Sequence, residues 1–430
     1  MPPANDHPKG KNNPISPAAP VPPAMEVSTS AVKVQATRTD AFLKDILEAH
    51  PAYFQKIIEN KDEFRLQIIY SRIDRDAKNQ PTFTDYHYNV SPDLYFYPAS
   101  TVKMPVALLA LQRLRELNVP GLNKESTMLT GAAYSGQNEV YNDPTTVDGK
   151  PSVGHYVKKI FLVSDNDAYN RLYEFLGQEY INTQLQKMGF KNTEIIHRLE
   201  RVLNEDQNRH TNPIRFLGEE GKTIYDQPMA FNTKPYQDRN DHLGRAYMKG
   251  GNLIQGPMDF SKKNRFVLED LHGVVRSILF PESVSAEKRF KITEEDKRFV
   301  WQYMSQFPSE TKFPSYSQPD YWDAYCKFLY WGSEKQPLPK TFRIFNKVGD
   351  AYGFLIDAAY ITDQENGIEF MLSAVIYCNS DGVLNDSKYD YDSVGFPFMK
   401  HLGQVIYAYE KERKRTFKPD LSTFRMSYEK

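Results

Sequence analysis

The sequence predicts a mixed fold, an α/β lobe joined to an all-α lobe, on three observations. Strand-like alternation is confined to the two ends of the chain, helical spacing fills the middle, and one apolar helix enters the core carrying a serine and a lysine three positions apart. With 430 residues, 40% hydrophobic and 13% aromatic, the chain can bury a large core and more than one lobe. Lys plus Arg number 54 against 55 Asp plus Glu, a balance that gives no electrostatic footprint for nucleic acid or an anionic membrane.

The elements follow in chain order. Residues 1–38, rich in Pro, Ala, Ser and Asn, read as a disordered leader able to tether the rest to an envelope. Between Thr39 and Glu63 the spacing predicts an amphipathic helix broken near Pro51. "FRLQIIYSRI" and "TFTDYHYNV" then alternate as two strands of a hairpin joined through "DRDAKNQP". From Ser100 to about Leu203 the pattern is helical, notably in "VGHYVKKIFLVSDNDAYNRLYEFLG" and "EYINTQLQKMGF". Residues 209–257, polar and rich in Gly and Asn, read as a long excursion, with "GRAYMKGGNLIQG" loop-like. Helices resume in "DFSKKNRFVLEDLHGVVRSILF" and "EEDKRFVWQYMSQF". Three β-rich runs, "TFRIFNKVG", "GFLIDAAYIT" and "IEFMLSAVIYC", precede a closing helix through "FMKHLGQVIYAYEKERKR". Residues 39–99 and 345–430 are thus expected to form the α/β lobe, and 100–344 the mainly helical lobe with its excursion.

Two cysteines, Cys326 and Cys378, cannot make a disulfide framework, and neither lies in a cluster with metal-ligand spacing. No metal or other cofactor is implied: there is no HExxH pair, Walker-type loop or dinucleotide Gly motif. No run of 18 apolar residues occurs. The first residues lack the apolar core of a secretory signal, so an exported protein would carry that signal outside this chain.

In "YPASTVKMPVALLALQ", Ser100 is expected in the first turn of a helix with Lys103 one turn on, sharing one face. Serine is a favoured helix starter and a first-turn lysine ordinarily reaches solvent. Here, though, Lys103 is the only charge between Asp93 and Arg113, and a lysine in a greasy helix has a partner or a task. Further on, "VSDNDAYN" sets Ser164, Asp165 and Asn166 between apolar "IFLV" and a helix, and "FNKVGDAYG" puts Lys347 at a strand end before Gly349. Singly, these read as a helix cap and a strand turning.

Together, in this order and in these settings, the three elements resemble the active-site motifs of the penicillin-recognising serine hydrolases, most closely the class A β-lactamases. "HRLERVLNE" is similar to that family's Ω-like loop. The resemblance covers roughly residues 60–205 and 260–412. It implies an antiparallel sheet flanked by helices, a helical second lobe and an active site between them. It also implies an acyl-enzyme on a small-molecule or peptide-like substrate, a β-lactam or related amide, in a periplasmic or exported protein. Under it Ser100 is the nucleophile, Lys103 its base and Ser164 a proton relay to the leaving nitrogen. Asn166 orients the acyl side chain, and Lys347 favours an anionic substrate. The oxyanion donors would be the N–H groups of Ser100 and of Asp350, just past Gly349. Deacylation needs a loop glutamate, for which Glu200 and Glu205 are both candidates.

The family usually carries Thr or Ser where this chain has Val348. Losing that hydroxyl removes a hydrogen bond to the substrate carboxylate, about 1–3 kcal/mol. With a loop that looks contracted, slow β-lactam acylation and slower deacylation are expected. Within the same fold, a D-Ala-D-Ala carboxypeptidase-like enzyme, a glutaminase or an esterase is the alternative reading. A non-catalytic penicillin-binding sensor is the alternative from another class.

Overall fold

The computed structural model describes residues 36–429, so residues 1–35 of the leader read from the sequence lie outside the described residues. Five strands form one antiparallel sheet: β1 (Gln67–Arg75), β2 (Pro81–Tyr88), β3 (Phe342–Ala351), β4 (Phe354–Asp363) and β5 (Ile368–Tyr377), in the order β3-β4-β5-β1-β2. The N-terminal hairpin is therefore stitched to the C-terminal strands, with Ile69 of β1 between Ser373 of β5 and His87 of β2, and β3 is left at an edge. Every residue of β4 is buried. Phe354, Ile356, Ala358 and Tyr360 join the apolar cluster on one face, and Leu355, Ala359 and Ile361 that on the other. A strand covered on both sides needs apolar residues at successive positions, which is why its sequence runs on instead of alternating.

The longer helices are α1 (Ala41–Glu48), α2 (Pro51–Glu59), α3 (Lys103–Leu117), α4 (Val153–Val163), α5 (Asn166–Leu176), α6 (Gln178–Lys187), α7 (Leu268–Leu279), α8 (Glu294–Ser305) and α9 (Phe396–Glu412). Pro51 opens α2, where its missing N–H costs nothing. Leu43, Leu47, Phe54 and Ile57 of α1 and α2 and Phe398, Met399, Leu402 and Ile406 of α9 cover one face of the sheet. On the other face lie α7 and the helical lobe, at whose centre α3 is buried continuously from Lys103 to Gln112. A helix apolar on all sides has no solvent stripe to show.

The middle of the chain departs from the helical expectation. A strand, Thr127–Thr130, pairs with Ile214–Leu217, which pairs in turn with Thr223–Gln227. The excursion is likewise built of ladders, and "GRAYMKGGNLIQG" is not a loop but a hairpin of Ala246–Lys249 and Asn252–Gln255. Gly250 and Gly251 turn it with φ of 57° and 81°, a left-handed pair that glycine adopts at no steric cost. Strand Val383–Leu384, shortly after β5, joins this hairpin in parallel. Among the described residues no helix is long and apolar enough to cross a membrane.

What ties α7 to the sheet is partly polar. The two ring nitrogens of buried His272 hydrogen-bond to Ser71 Oγ on β1 and Ser373 Oγ on β5, both at 2.8 Å. One turn on, Arg276 pairs with Asp85 of β2. Burial, reinforced by the Arg276 charge, pushes the His272 imidazole down to about 3. The folded state thus disfavours a proton that the unfolded chain takes up near pH 6.5, so this contribution to stability is present above about pH 6.5 and is lost as pH falls toward about 3. Denaturant midpoints measured between about pH 7 and 4 should fall with pH, and less steeply in His272→Gln. Identical pH slopes would contradict this role.

Candidate active site

The serine enters the site through a tight bend. Ala99 sits at φ 47°, and Ala99–Val102 form a single 3-10 turn before Lys103 opens α3. Ser100 therefore lies just ahead of the α-helix, not within it. The cause is Pro98, whose carbonyl accepts both the N–H and the Oγ1 hydrogen of Thr101, at 3.1 and 2.7 Å, and so tightens the first turn. No hydrogen bond from another described residue occupies the Ser100 hydroxyl, and the residue lines a cleft of about 400 Å³.

Lys103 has no exposed surface. Its Nζ donates to the Ser164 carbonyl, to Asn166 Oδ1 at 2.6 Å and to Ser164 Oγ at 3.3 Å. All three partners are neutral oxygens. Burial first, and the charge of Lys347 second, hold the Lys103 amine well below its ordinary value.

The Ser164–Asn166 triplet fills the break between α4 and α5. Ser164 terminates α4 in the left-handed region, φ 60°, a conformation that costs a non-glycine residue strain. Asp165 caps α5 by accepting the N–H of Ala168 at 2.7 Å. The capping expected of these residue types thus falls to Asp165 alone, leaving Ser164 and Asn166 to face Lys103.

Across the cleft, β3 carries Lys347, whose Nζ donates to Ser164 Oγ at 2.7 Å and to the Val348 carbonyl at 2.8 Å. Burial pushes this lysine down to about 8. Side chains alternate along the strand, so Val348 turns the other way, into the apolar cluster beneath α9, while still bordering the cleft. A hydroxyl there would meet mostly apolar neighbours. Gly349 is required by proximity: a Cβ would stand 2.9 Å from both Pro98 O and Ser100 N. The edge strand can lie against the Ser100 backbone only because that side chain is missing. Asp350 follows at the exposed mouth.

The two loop glutamates separate clearly. Glu200 lines the cleft, with φ 51°. Glu205, in the one-turn helix Glu205–Arg209, is bound to Arg209 at 3.0 Å and to Lys262 at 2.7 Å, away from the cleft. The loop is clamped to α5. Asn170 donates to the Leu199 carbonyl and accepts its N–H, at 3.0 and 2.9 Å, and Tyr169 OH donates to His197 O. Next to them the buried pair Arg198–Glu174 closes at 2.7 Å.

The structure therefore brings together Ser100, Lys103, Ser164, Asn166, Lys347, Gly349, Asp350 and Glu200, and leaves Glu205 outside. Sequence reasoning missed the opposite wall, Trp322, Tyr325, Cys326 and Phe328, from the irregular segment between α8 and β3. Its signal was the aromatic density of "YWDAYCKFLYWG", which has no helical or strand period. Cys326 and Cys378 are both free and buried.

A family model described as the beta-lactamase enzyme family matches residues 53–224. Among solved structures, a beta-lactamase from Xanthomonas campestris is 14% identical, over 85% of this chain and 98% of its own, with a TM-score of 0.45. A class A beta-lactamase from Clostridium kluyveri is 14% identical, over 84% and 98%, with a TM-score of 0.45. PBP-A in its acyl-enzyme complex with penicillin G is 15% identical, over 88% and 100%, with a TM-score of 0.45. Comparison with curated proteins found no match. Residues 53–224 are thus similar to the beta-lactamase enzyme family, and the antiparallel sheet flanked by helices agrees with the fold that this likeness implies.

The clamp on the Glu200 loop is open to a direct check. Asn170→Ala removes two buried hydrogen bonds and should cost about 1–3 kcal/mol in denaturant unfolding. Amide exchange over residues 197–205 should speed up with it. Unchanged exchange there would mean that Asn170 does not hold the loop.

Proposed function

We propose that the chain is a serine hydrolase that works through an acyl-enzyme at Ser100, on a β-lactam or a related amide. The observation that carries this reading is the buried Lys103, one turn from Ser100, held by neutral oxygens and pushed toward its neutral form by burial first and by Lys347 second. A neutral amine has the lone pair that a serine proton needs. Ser100 Oγ attacks the carbonyl carbon as its proton passes to Lys103. The C–N bond then breaks, and Ser164, bridging Lys103 and Lys347, delivers a proton to the departing nitrogen. Backbone N–H groups of Ser100 and Asp350 stabilise the oxyanion, Asn166 orients the acyl group, and water activated by Glu200 releases it. Glu200 is preferred to Glu205 because only Glu200 borders the cleft.

A second reading, a penicillin-binding protein or sensor whose acyl-enzyme persists, is favoured by Val348, whose side chain offers a substrate carboxylate no hydrogen bond. Intact-mass spectrometry after mixing with a penicillin separates the two. The enzyme should gain one adduct that decays, Ser100→Ala should gain none, and Lys103→Ala should acylate slower by several orders of magnitude. Glu200→Gln should prolong the adduct, whereas Glu205→Gln should leave its lifetime as it was. An adduct on Ser100→Ala at the native rate would sink the assignment, and a permanent adduct on the unaltered protein would favour the sensor.

A further inference from the structure

Lys327 takes no part in the chemistry above, yet it is 1% exposed. A lysine that deep needs acceptors, and two hold it: Nζ donates to the Met304 carbonyl of α8 and to Asn346 Oδ1 of β3, both at 2.8 Å. With its oxygen so engaged, the Asn346 amide points its nitrogen the other way, donating to the Cys326 carbonyl at 2.9 Å and to Asp357 Oδ1 of β4 at 2.8 Å. The second oxygen of Asp357 accepts the backbone N–H groups of Phe328 and Leu329, at 3.1 and 3.0 Å. Lys327, Asn346 and Asp357 are thus one continuous buried network, each no more than 2% exposed.

The network joins α8, β3 and β4 to the segment that sequence reasoning missed. Its contacts on that segment, Cys326 O and the N–H groups of Phe328 and Leu329, fall in the stretch that supplies Trp322, Tyr325, Cys326 and Phe328 to the cleft. Trp322 and Tyr325 meet edge to face with ring centres 5.1 Å apart. On β3 the network grips Asn346, the neighbour of Lys347, and on β4 it grips Asp357, which stands opposite Val348. The wall is irregular backbone without a ladder of its own, so side chains set its place: this network at residues 326–329, and Asp323, which accepts from the Ser309 hydroxyl and the Leu338 N–H, nearer Trp322.

We propose that Lys327 is a positioning residue that, through Asn346 and Asp357, fixes the aromatic wall of the cleft and so limits which acyl groups reach Ser100. This rests on the acyl-transfer reading of Ser100. Lys327→Met would leave Met304 O and Asn346 Oδ1 unpaired, free the amide to turn and take from Asp357 a neighbouring positive charge. The wall would loosen while Ser100, Lys103 and Ser164 keep their own contacts.

The test compares p-nitrophenyl acetate with p-nitrophenyl phenylacetate as substrates, and follows maleimide labelling of Cys326 by mass. In Lys327→Met, the preference between the two esters should change by about tenfold or more, in KM rather than kcat, with acetate turnover within about threefold of the unaltered protein. Cys326 should label about tenfold faster, as local opening becomes easier. If Lys327→Met does not fold, Asp357→Asn, which keeps the shape and removes the charge, decides by the same criteria. A folded variant with native ester preference overturns the proposal, even when Cys326 labels faster, because the network would then be structural only. Failure of the unaltered protein to turn over either ester would sink the reading of Ser100 itself, and the positioning role with it.

Discussion

A lysine side chain buried among neutral oxygens, with no carboxylate bonded to it, is the constraint on which the rest of this site depends. Taking a charged ammonium out of water costs several kcal/mol even after relaxation. Burial, and after it the charge of Lys347 across the cleft, lower the cost of losing the proton at Lys103, and its three oxygen partners add no negative charge to oppose that loss. The apolar length of α3 supports the arrangement. Each buried Val, Leu or Met contributes about 1.5–3 kcal/mol, and the helix brings a succession of them into the core directly behind Lys103. Strain at Ser164 and Ala99 is held in place by the same packing.

The sheet provides the second half of the site by having an edge. β3 has a neighbour on one side only, and on its other side it runs past the Ser100 backbone so closely that Gly349 has no room for a side chain. Alternation then decides what each residue does. Lys347 faces Ser164, while Asn346 and Val348 face the opposite layer, where Asn346 is taken up by the buried network and Val348 by apolar packing. Val348 is thus as much a core residue as a cleft residue. Its branched apolar side chain suits the packing beneath α9.

Much of this could be read from residue order. The five strands of the sheet, the break at Pro51 and the paired helices around "VSDNDAYN" follow from periodicity and capping, because each is a local pattern. The 3-10 turn at Ser100 was missed because it depends on one proline carbonyl taking two hydrogen bonds from Thr101, a detail without a periodic signature. The excursion was misread for the opposite reason. Ala246–Gln255 carries a hairpin signal at Gly250-Gly251, but the strands are four residues each, too short to stand out in a polar segment. Glu200 and Glu205 could not be separated by spacing alone. What separates them is tertiary: Asn170 and Tyr169 anchor the loop so that Glu200 borders the cleft, while Arg209 and Lys262 hold Glu205 elsewhere. The aromatic wall had no period to read, and the network that fixes it joins residues far apart in the chain.

The most direct measurement is the titration of Lys103 itself, followed by the ¹³Cε shift of labelled lysines, with its signal identified by loss in Lys103→Arg. An amine held neutral by burial should titrate well below the ordinary value of about 10.4, and the rate of Ser100 modification by a fluorophosphonate should rise with pH along the same curve. A Lys103 signal that titrates at the ordinary value, or a Ser100 reactivity that ignores its titration, would contradict the neutral base on which the site is built.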